Sequence, residues 1–261
     1  MKNNTSLKND AIRKKGIYVL PNLFTTASLF SGFYSIIAST KSLFELAAIT
    51  ILIAAVFDGL DGRIARMTNT TSKFGGEYDS LSDLVAFGVA PAMLAYAWAL
   101  HAFGKWGWLV AFLFVACGAL RLARFNVQVG LIESKLFNGL PIPAAAVAAA
   151  TWVLLFYYLG GEGKFTNPMI LIGLVGLSIL MVSNIKYYSF KDLNFFARKP
   201  FMSFVLIVLI LTMVVAEFQI MTFTFAMGYS LSGPVWTLYK VTAKVYGEAK
   251  ARRVNRLSGK W

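Results

Sequence analysis

Residues 58–83 read DGLDGRIARMTNTTSKFGGEYDSLSD and directly follow an apolar run, residues 52–57. Asp58 and Asp61 stand at the end of that run, so a helix that carries the run through a bilayer places both carboxylates at membrane depth. Carboxylates inside a membrane are costly, rare and usually functional. The stretch therefore predicts a membrane protein with a functional site where two of its helices meet.

The composition of the 261-residue chain also indicates a membrane protein. Hydrophobic side chains make up 57% of it and charged ones only 14%, whereas soluble domains carry about a quarter charged residues. The single cysteine, Cys117, and the single histidine, His101, exclude a disulfide framework and a metal site of thiolates or imidazoles. The formal net charge of +13 favours anionic membrane lipid over nucleic acid as a partner of so apolar a chain.

Eight apolar stretches are long enough for membrane helices, which need about 20 residues each. No linker or internal repeat divides them, so we expect one all-α, polytopic transmembrane domain over residues 1–261, with a basic tail at each end. The last two stretches are separated at Glu217. The predicted spans are 17–40, 43–67, 84–101, 106–123, 141–160, 168–185, 201–217 and 219–239.

The distribution of basic residues predicts the orientation, because lysine and arginine concentrate on the cytoplasmic side of a membrane. With the N-terminus inside, only Lys41, Lys105 and Lys164 of the 25 basic residues fall outside. We therefore expect both termini in the cytoplasm, a location in the cytoplasmic (inner) membrane, and a site at its cytoplasmic face. The basic tails are either topology signals or surfaces for anionic headgroups.

Helical geometry groups the polar residues of the quoted stretch into two facing stripes. The first helix carries on one face Asp58, Asp61, Gly62 and Ala65. The second helix carries, at intervals of four residues, Gly75, Asp79 and Asp83. A short polar turn, residues 68–73, makes the two helices antiparallel neighbours, so we expect the four carboxylates to face one another.

Four carboxylates in a partly desolvated cleft repel one another, and they stay ionised together only when cations balance them. Oxygen ligands suit Mg²⁺ or Mn²⁺, and two such ions about 4 Å apart clamp a phosphate undergoing displacement. Arg66 can balance phosphate charge with its planar guanidinium. The glycines also allow close helix packing. An alternative function, a cation transporter, explains the carboxylates but not Arg66.

The spacing of these residues resembles the signature of the CDP-alcohol phosphatidyltransferase family, D-x2-D-G-x2-A-R-x8-G-x3-D-x3-D, with no departure. The resemblance implies a six-helix core that transfers a phosphatidyl group from CDP-diacylglycerol to an alcohol and releases CMP. The last two predicted spans would then be additions to that core. The resemblance also implies a homodimer.

Carried over by position, the resemblance implies a role for each residue of the signature. The metal ligands would be Asp58, Asp61, Asp79 and Asp83. Asp83 would also be the general base that deprotonates the acceptor hydroxyl. The residues that bind CDP-diacylglycerol would be Gly62, Ala65, Arg66 and Gly75.

The acceptor alcohol must be inferred from other segments. Arg121 and Arg124 lie three residues apart and, with Asn126, can hold a carboxylate or a second phosphate; as an alternative, the arginines are membrane anchors. The segments DSLSD (79–83), FGVAP (87–91), RLARFN (121–126) and GLPIPAA (139–145) resemble the bacterial and archaeal membrane-embedded (type II) phosphatidylserine synthases, which implies L-serine.

Two single residues bear on the competing acceptors. Leu84 stands where phosphatidylglycerophosphate synthases typically place a lysine, which argues against glycerol 3-phosphate. His101 is alone, which excludes a phosphohistidine route that needs two histidines. Choline and inositol-type acceptors stay open as alternatives.

Overall fold

The computed structural model describes residues 3–68, 72–128, 136–188 and 200–257, which form eight continuous helices and one short pair of strands. The helices are α1 (Asn3–Thr40), α2 (Phe44–Met67), α3 (Lys73–Phe103), α4 (Lys105–Gln128), α5 (Ile142–Tyr158), α6 (Pro168–Val182), α7 (Pro200–Ala216) and α8 (Phe218–Leu257). The strands are β1 (Leu136–Asn138) and β2 (Lys186–Tyr188). The predicted all-α class is confirmed, and each predicted span corresponds to one helix.

Three helical segments in the described part of the chain are long and apolar enough to cross a membrane. They are Leu20–Thr40, Lys73–Phe103 and Lys105–Val127. Helices α5 and α6 are apolar but shorter, while α2 carries the charges of Glu45, Asp58 and Asp61. The protein is therefore an all-α membrane protein, as the composition predicted.

Two helices are longer than the apolar stretches that predicted them. Helix α3 begins at Lys73 rather than at residue 84, because the Ser72 hydroxyl caps it by accepting a 2.9 Å hydrogen bond from the Gly75 N–H. Helix α8 continues to Leu257, since the lysines, alanines and arginines beyond the apolar stretch are good helix formers in water. Hydropathy therefore predicts which part of a helix contacts lipid, but it does not predict the residue at which the helix begins or ends.

Helix α3 changes its winding at the point where its aspartates end. A π-helical segment, Leu84–Val89, begins directly after Asp83, and a second one spans Tyr96–Leu100. Such wide turns often occur at functional sites. Helix α1 packs closely against the first of them, because a Cβ atom on Gly32 would lie 2.5 Å from the Ala86 Cα.

Small and hydroxyl side chains join the central helices. Along the α1–α2 contact, Ser28 donates a 3.1 Å hydrogen bond to the Ala54 carbonyl, and Ser35 donates a 2.8 Å hydrogen bond to the Ala47 carbonyl. The alanine-rich α5 packs against both α2 and α8, and α4 packs against α6. Close approach of small residues is the usual way in which membrane helices associate.

A two-stranded antiparallel pair connects the segment before α5 to the segment after α6, with Leu136 opposite Tyr188 and Asn138 opposite Lys186. The sequence analysis did not predict it, because three-residue strands carry no periodic pattern. The pair is followed by Gly139, whose φ of +81° suits glycine. A Cβ atom there would lie 2.3 Å from the Met181 carbonyl oxygen, so the chain needs a glycine at this crossing.

Candidate active site

The predicted convergence of aspartates occurs between α2 and α3. Carboxylate oxygens of Asp58, Asp61 and Asp79 all lie within 4.8 Å of one another. The carboxyl group of Asp83 lies within hydrogen-bonding reach of Asp58. The two stripes therefore face each other as the helical spacing predicted, with three carboxylates in one cluster and Asp83 beside Asp58.

The surroundings of two aspartates fit a cation. Asp61 is buried, and its Oδ2 accepts a 2.7 Å hydrogen bond from the Thr25 hydroxyl of α1. The Asp79 Oδ1 is buried and has no hydrogen-bond partner. A buried carboxylate oxygen without a partner is costly, and a metal ion is the partner that an all-oxygen cluster selects. This cluster can therefore hold a metal ion.

A cavity of about 240 Å³ adjoins the carboxylates, between α1, α2 and the first turns of α3. The residues of the sequence signature that line it are Asp61, Gly62, Ala65, Arg66, Gly75 and Asp79. All four residues predicted to bind CDP-diacylglycerol (Gly62, Ala65, Arg66 and Gly75) thus line the same cavity as two of the predicted metal ligands, Asp61 and Asp79. Arg66 is exposed, which leaves its guanidinium accessible to a ligand.

Two glycines of the signature have different surroundings. A Cβ atom on Gly62 would meet nothing within 4 Å, so that position opens onto free space beside Asp61. A Cβ atom on Gly75 would lie 3.1 Å from the Ser72 Oγ and 3.5 Å from the Asn22 Oδ1. Gly75 therefore permits a close approach of α3 to α1, whereas Gly62 leaves room for a ligand.

Helix α1 supplies one wall of the cavity, through Pro21, Asn22 and Thr25. None of the three was among the site residues predicted from the sequence. The available signal was a pair of polar residues, Asn22 and Thr25, at the start of an apolar span. Thr25 also links α1 to α3, because its backbone carbonyl accepts a 3.1 Å hydrogen bond from the Ser82 hydroxyl.

The three residues predicted to bind the acceptor do not share one environment. Arg121 is half-buried, interacts electrostatically with Asp83 and Asp58, and places its guanidinium carbon 5.8 Å from the ring centroid of Phe125. Asn126 reaches the same helix as Asp83, because its Nδ2 donates a 3.0 Å hydrogen bond to the Ser80 Oγ. Asn126 therefore contacts the helix that carries Asp79 and Asp83.

Arg124 has other partners. Its guanidinium donates a 3.4 Å hydrogen bond to the carbonyl of Val182, at the end of α6, and a 2.5 Å hydrogen bond to the side chain of Asn184. These contacts hold α4 against α6. A role of Arg124 in binding the acceptor stays a prediction.

Known proteins are similar in sequence to most of this chain. The family model described as CDP-alcohol phosphatidyltransferase matches residues 18–180. The CDP-diacylglycerol–serine O-phosphatidyltransferase of Helicobacter pylori is 44% identical over 201 residues, 76% of this chain and 82% of the relative. The protein of the same name from Bacillus subtilis is 39% identical over 175 residues, 66% of this chain and 91% of the relative.

An archaeal protein is also similar. The archaetidylserine synthase of Methanothermobacter thermautotrophicus is 42% identical over 170 residues, which cover 64% of this chain and 69% of the relative. The family match includes α2 and α3 with all four aspartates. This chain belongs to the CDP-alcohol phosphatidyltransferase family.

Proposed function

We propose that this protein transfers the phosphatidyl group of CDP-diacylglycerol to L-serine, giving phosphatidylserine and CMP. The observation that carries the proposal is the approach of Asp58, Asp61 and Asp79 to within 4.8 Å beside a cavity lined by the family signature. The names of the relatives from Helicobacter pylori and Bacillus subtilis support serine as the acceptor.

The family is metal dependent in general, and we propose Mg²⁺ or Mn²⁺, as two ions, for this cluster. The proposed ligands are Asp58, Asp61, Asp79 and Asp83. The partnerless Oδ1 of Asp79 supports the assignment. Divalent ions held there would supply neutralisation of the pyrophosphate charge. The aspartates keep their carboxylates in place for this through contacts such as that of Asp61 with Thr25.

The cytidine and pyrophosphate end of the lipid substrate is proposed to occupy the cavity. Gly62 leaves space for the substrate beside Asp61. Gly75 allows α1 and α3, which form two walls of the cavity, to approach each other closely. The exposed guanidinium of Arg66 can form paired hydrogen bonds with phosphate oxygens, and Ala65 adds no bulk. The diacylglycerol chains would remain in the surrounding membrane lipid.

The proposed reaction is a direct displacement. Asp83 accepts the proton of the serine hydroxyl, and the serine oxygen forms a bond to the phosphorus next to diacylglycerol. The bond from that phosphorus to the bridging oxygen of the diphosphate breaks, and CMP leaves with the electron pair. Positioning and charge neutralisation dominate catalysis of such transfers. The serine carboxylate is proposed to bind among Arg121, Arg124 and Asn126.

The finer points of location and assembly are also part of the proposal. The distribution of lysine and arginine supports an active site at the cytoplasmic face of the inner membrane, with both termini in the cytoplasm. Residues 1–261 would form one transmembrane catalytic domain, with α7 and α8 as additions to a six-helix core. The protein would function as a homodimer and would not bind nucleic acid.

Release of CMP by the purified protein tests the proposal. The assay contains CDP-diacylglycerol, Mn²⁺ or Mg²⁺, and one acceptor at a time: serine, glycerol 3-phosphate, inositol, inositol phosphate or choline. We expect that serine is the only one of these acceptors that supports CMP release, and that EDTA abolishes this release. Release with another acceptor would contradict serine as the substrate, and no release with any acceptor by folded protein would contradict the transferase.

A further inference from the structure

Two serines stand between the last two aspartates of the site, and their hydroxyls reach different helices. The Ser82 hydroxyl donates to α1, at the Thr25 carbonyl. Ser80 lies on the side of α3 that faces α4, where its Oγ accepts a 3.0 Å hydrogen bond from the Asn126 Nδ2. Ser80 therefore joins the helix that carries two of the proposed metal ligands to the helix that carries the proposed acceptor residues.

The pair formed by Ser80 and Asn126 lies within one helical turn of the proposed general base. Ser80 follows Asp79 directly and precedes Asp83 by three residues, and side chains at that spacing on a helix have Cβ atoms about 5–6 Å apart. Helix α4 also packs against the π-helical segment that begins directly after Asp83. Ser80 and Asn126 are both half-buried. The amide of Asn126 is therefore held, without being enclosed, beside the turn that carries Asp83.

The hydroxyl of Ser80 has one proton and two acceptors within reach. It donates a 3.1 Å hydrogen bond to the Gly76 carbonyl, one turn earlier in α3, whereas the Asn126 Oδ1 lies 3.3 Å away. A serine inside a helix often makes such a bond to the carbonyl four residues before it, and the bond fixes the position of the Oγ. Because this Oγ accepts the Nδ2 proton of Asn126, the backbone of α3 sets the orientation of the amide.

The bond to Ser80 leaves part of the Asn126 amide for a ligand. A side-chain amide has two N–H donors and an oxygen with two lone pairs, and Ser80 uses one donor and at most one lone pair. The remaining N–H matches a carboxylate oxygen, and the remaining lone pair matches an ammonium group. Serine carries both groups on the carbon next to the one that bears its hydroxyl. An amide held in one orientation also loses less conformational entropy when it binds such a ligand.

We propose that Ser80 is a positioning residue for the acceptor: its hydroxyl orients the Asn126 amide, which binds the ammonium and carboxylate groups of serine within one helical turn of Asp83. This inference rests on the proposed function, and it names the side chain that controls recognition of the α-amino acid group. Ser80 itself touches no reacting atom. The cavity proposed for CDP-diacylglycerol is lined by other residues.

A double-mutant cycle tests whether Ser80 acts through Asn126. Initial rates of CMP release give the KM for serine and the KM for CDP-diacylglycerol in Ser80→Ala, in Asn126→Ala and in the double variant. In Ser80→Ala we expect the KM for serine to rise about threefold to tenfold, as for loss of one hydrogen bond, while the KM for CDP-diacylglycerol stays unchanged. In the double variant we expect a KM for serine within about twofold of that in Asn126→Ala, because residues that act through one contact are not additive.

Two single variants separate positioning from the loss of a hydroxyl inside a helix. Ser80→Thr keeps the hydroxyl, so its KM for serine should stay within about twofold of the wild-type value. Ser178→Ala removes a buried hydroxyl that donates a 2.7 Å hydrogen bond to the Leu174 carbonyl, four residues earlier in α6. Ser80 makes the same kind of local bond with Gly76, so Ser178→Ala is the matched control, and it should leave the KM for serine unchanged.

The possible results distinguish failure of this inference from failure of the proposed function. An unchanged KM for serine in Ser80→Ala or in Asn126→Ala would overturn the inference and leave the proposed function standing. Full multiplication of the two single effects in the double variant would do the same, and so would an equal rise in Ser80→Thr and Ser80→Ala. A wild-type protein that uses only acceptors without an α-amino acid group, or none, would overturn the inference and the proposed function together.

Discussion

Replacing Thr25 by valine removes one hydroxyl and keeps the shape of the side chain. That hydroxyl donates a 2.7 Å hydrogen bond to the Asp61 Oδ2. Thr25 is 4% exposed and Asp61 is 5% exposed. A hydrogen bond to a charged group contributes about 1.5–3 kcal/mol. Loss of a group that orients a metal ligand typically lowers metal affinity by about 10- to 100-fold.

We therefore expect Thr25→Val to raise the Mn²⁺ concentration for half-maximal CMP release by about 10- to 100-fold, while the rate at saturating Mn²⁺ falls less. Thr25→Ser, which keeps the hydroxyl, should restore most of the affinity. Thr40→Val is the matched control, since its exposed hydroxyl bonds only locally, to the Ile37 carbonyl at the other end of α1. If Thr25→Val reaches half-maximal CMP release at a Mn²⁺ concentration within about twofold of the wild-type value, the hydroxyl of Thr25 does not support metal binding and the reasoning is refuted.

Three further changes test other parts of the site and fold. Asp83→Asn should abolish turnover but largely spare binding of CDP-diacylglycerol, and substantial residual activity would contradict the assignment of the base. Gly32→Ala should lower the melting temperature in detergent, because its Cβ would meet the Ala86 backbone at 2.5 Å and overpacking costs about 1–3 kcal/mol. Gly228→Ala is the control: its Cβ has open space around it and alanine favours the helix, so it should not lower the melting temperature. Arg124→Ala should raise the KM for serine if Arg124 binds the acceptor, and a lower melting temperature with an unchanged KM would leave it only the role of holding α4 to α6.

The aspartate cluster was predictable because its geometry follows from helical spacing over a short stretch. Asp58 and Asp61 share a face of one helix, Asp79 and Asp83 share a face of the next, and a short turn makes the two faces meet. No long-range information enters that argument. The apolar stretches likewise predicted eight helices, including the break at Glu217 between α7 and α8.

Features that depend on contacts between distant segments were not predictable. The pairing of β1 with β2 joins residues about fifty positions apart in the chain. Strands of three residues are too short to show a periodic sequence pattern, so the sequence does not predict the pairing. The different partners of Arg121 and Arg124 depend on where α6 ends, although the two residues look equivalent in sequence. The contribution of Thr25 depends on how α1 packs against α2. Tertiary packing determines all three.

All four aspartates belong to one pair of consecutive helices, α2 and α3. Contacts within such a hairpin close only a short loop and therefore cost little chain entropy. The residues proposed to bind the acceptor, Arg121, Arg124 and Asn126, belong to the next helix, α4. In the proposed function, the reaction chemistry is thus carried by a compact unit of the chain, and the choice of alcohol by separate units around it. We infer that evolution can exchange the alcohol by altering the later helices while it inherits the phosphoryl-transfer unit intact.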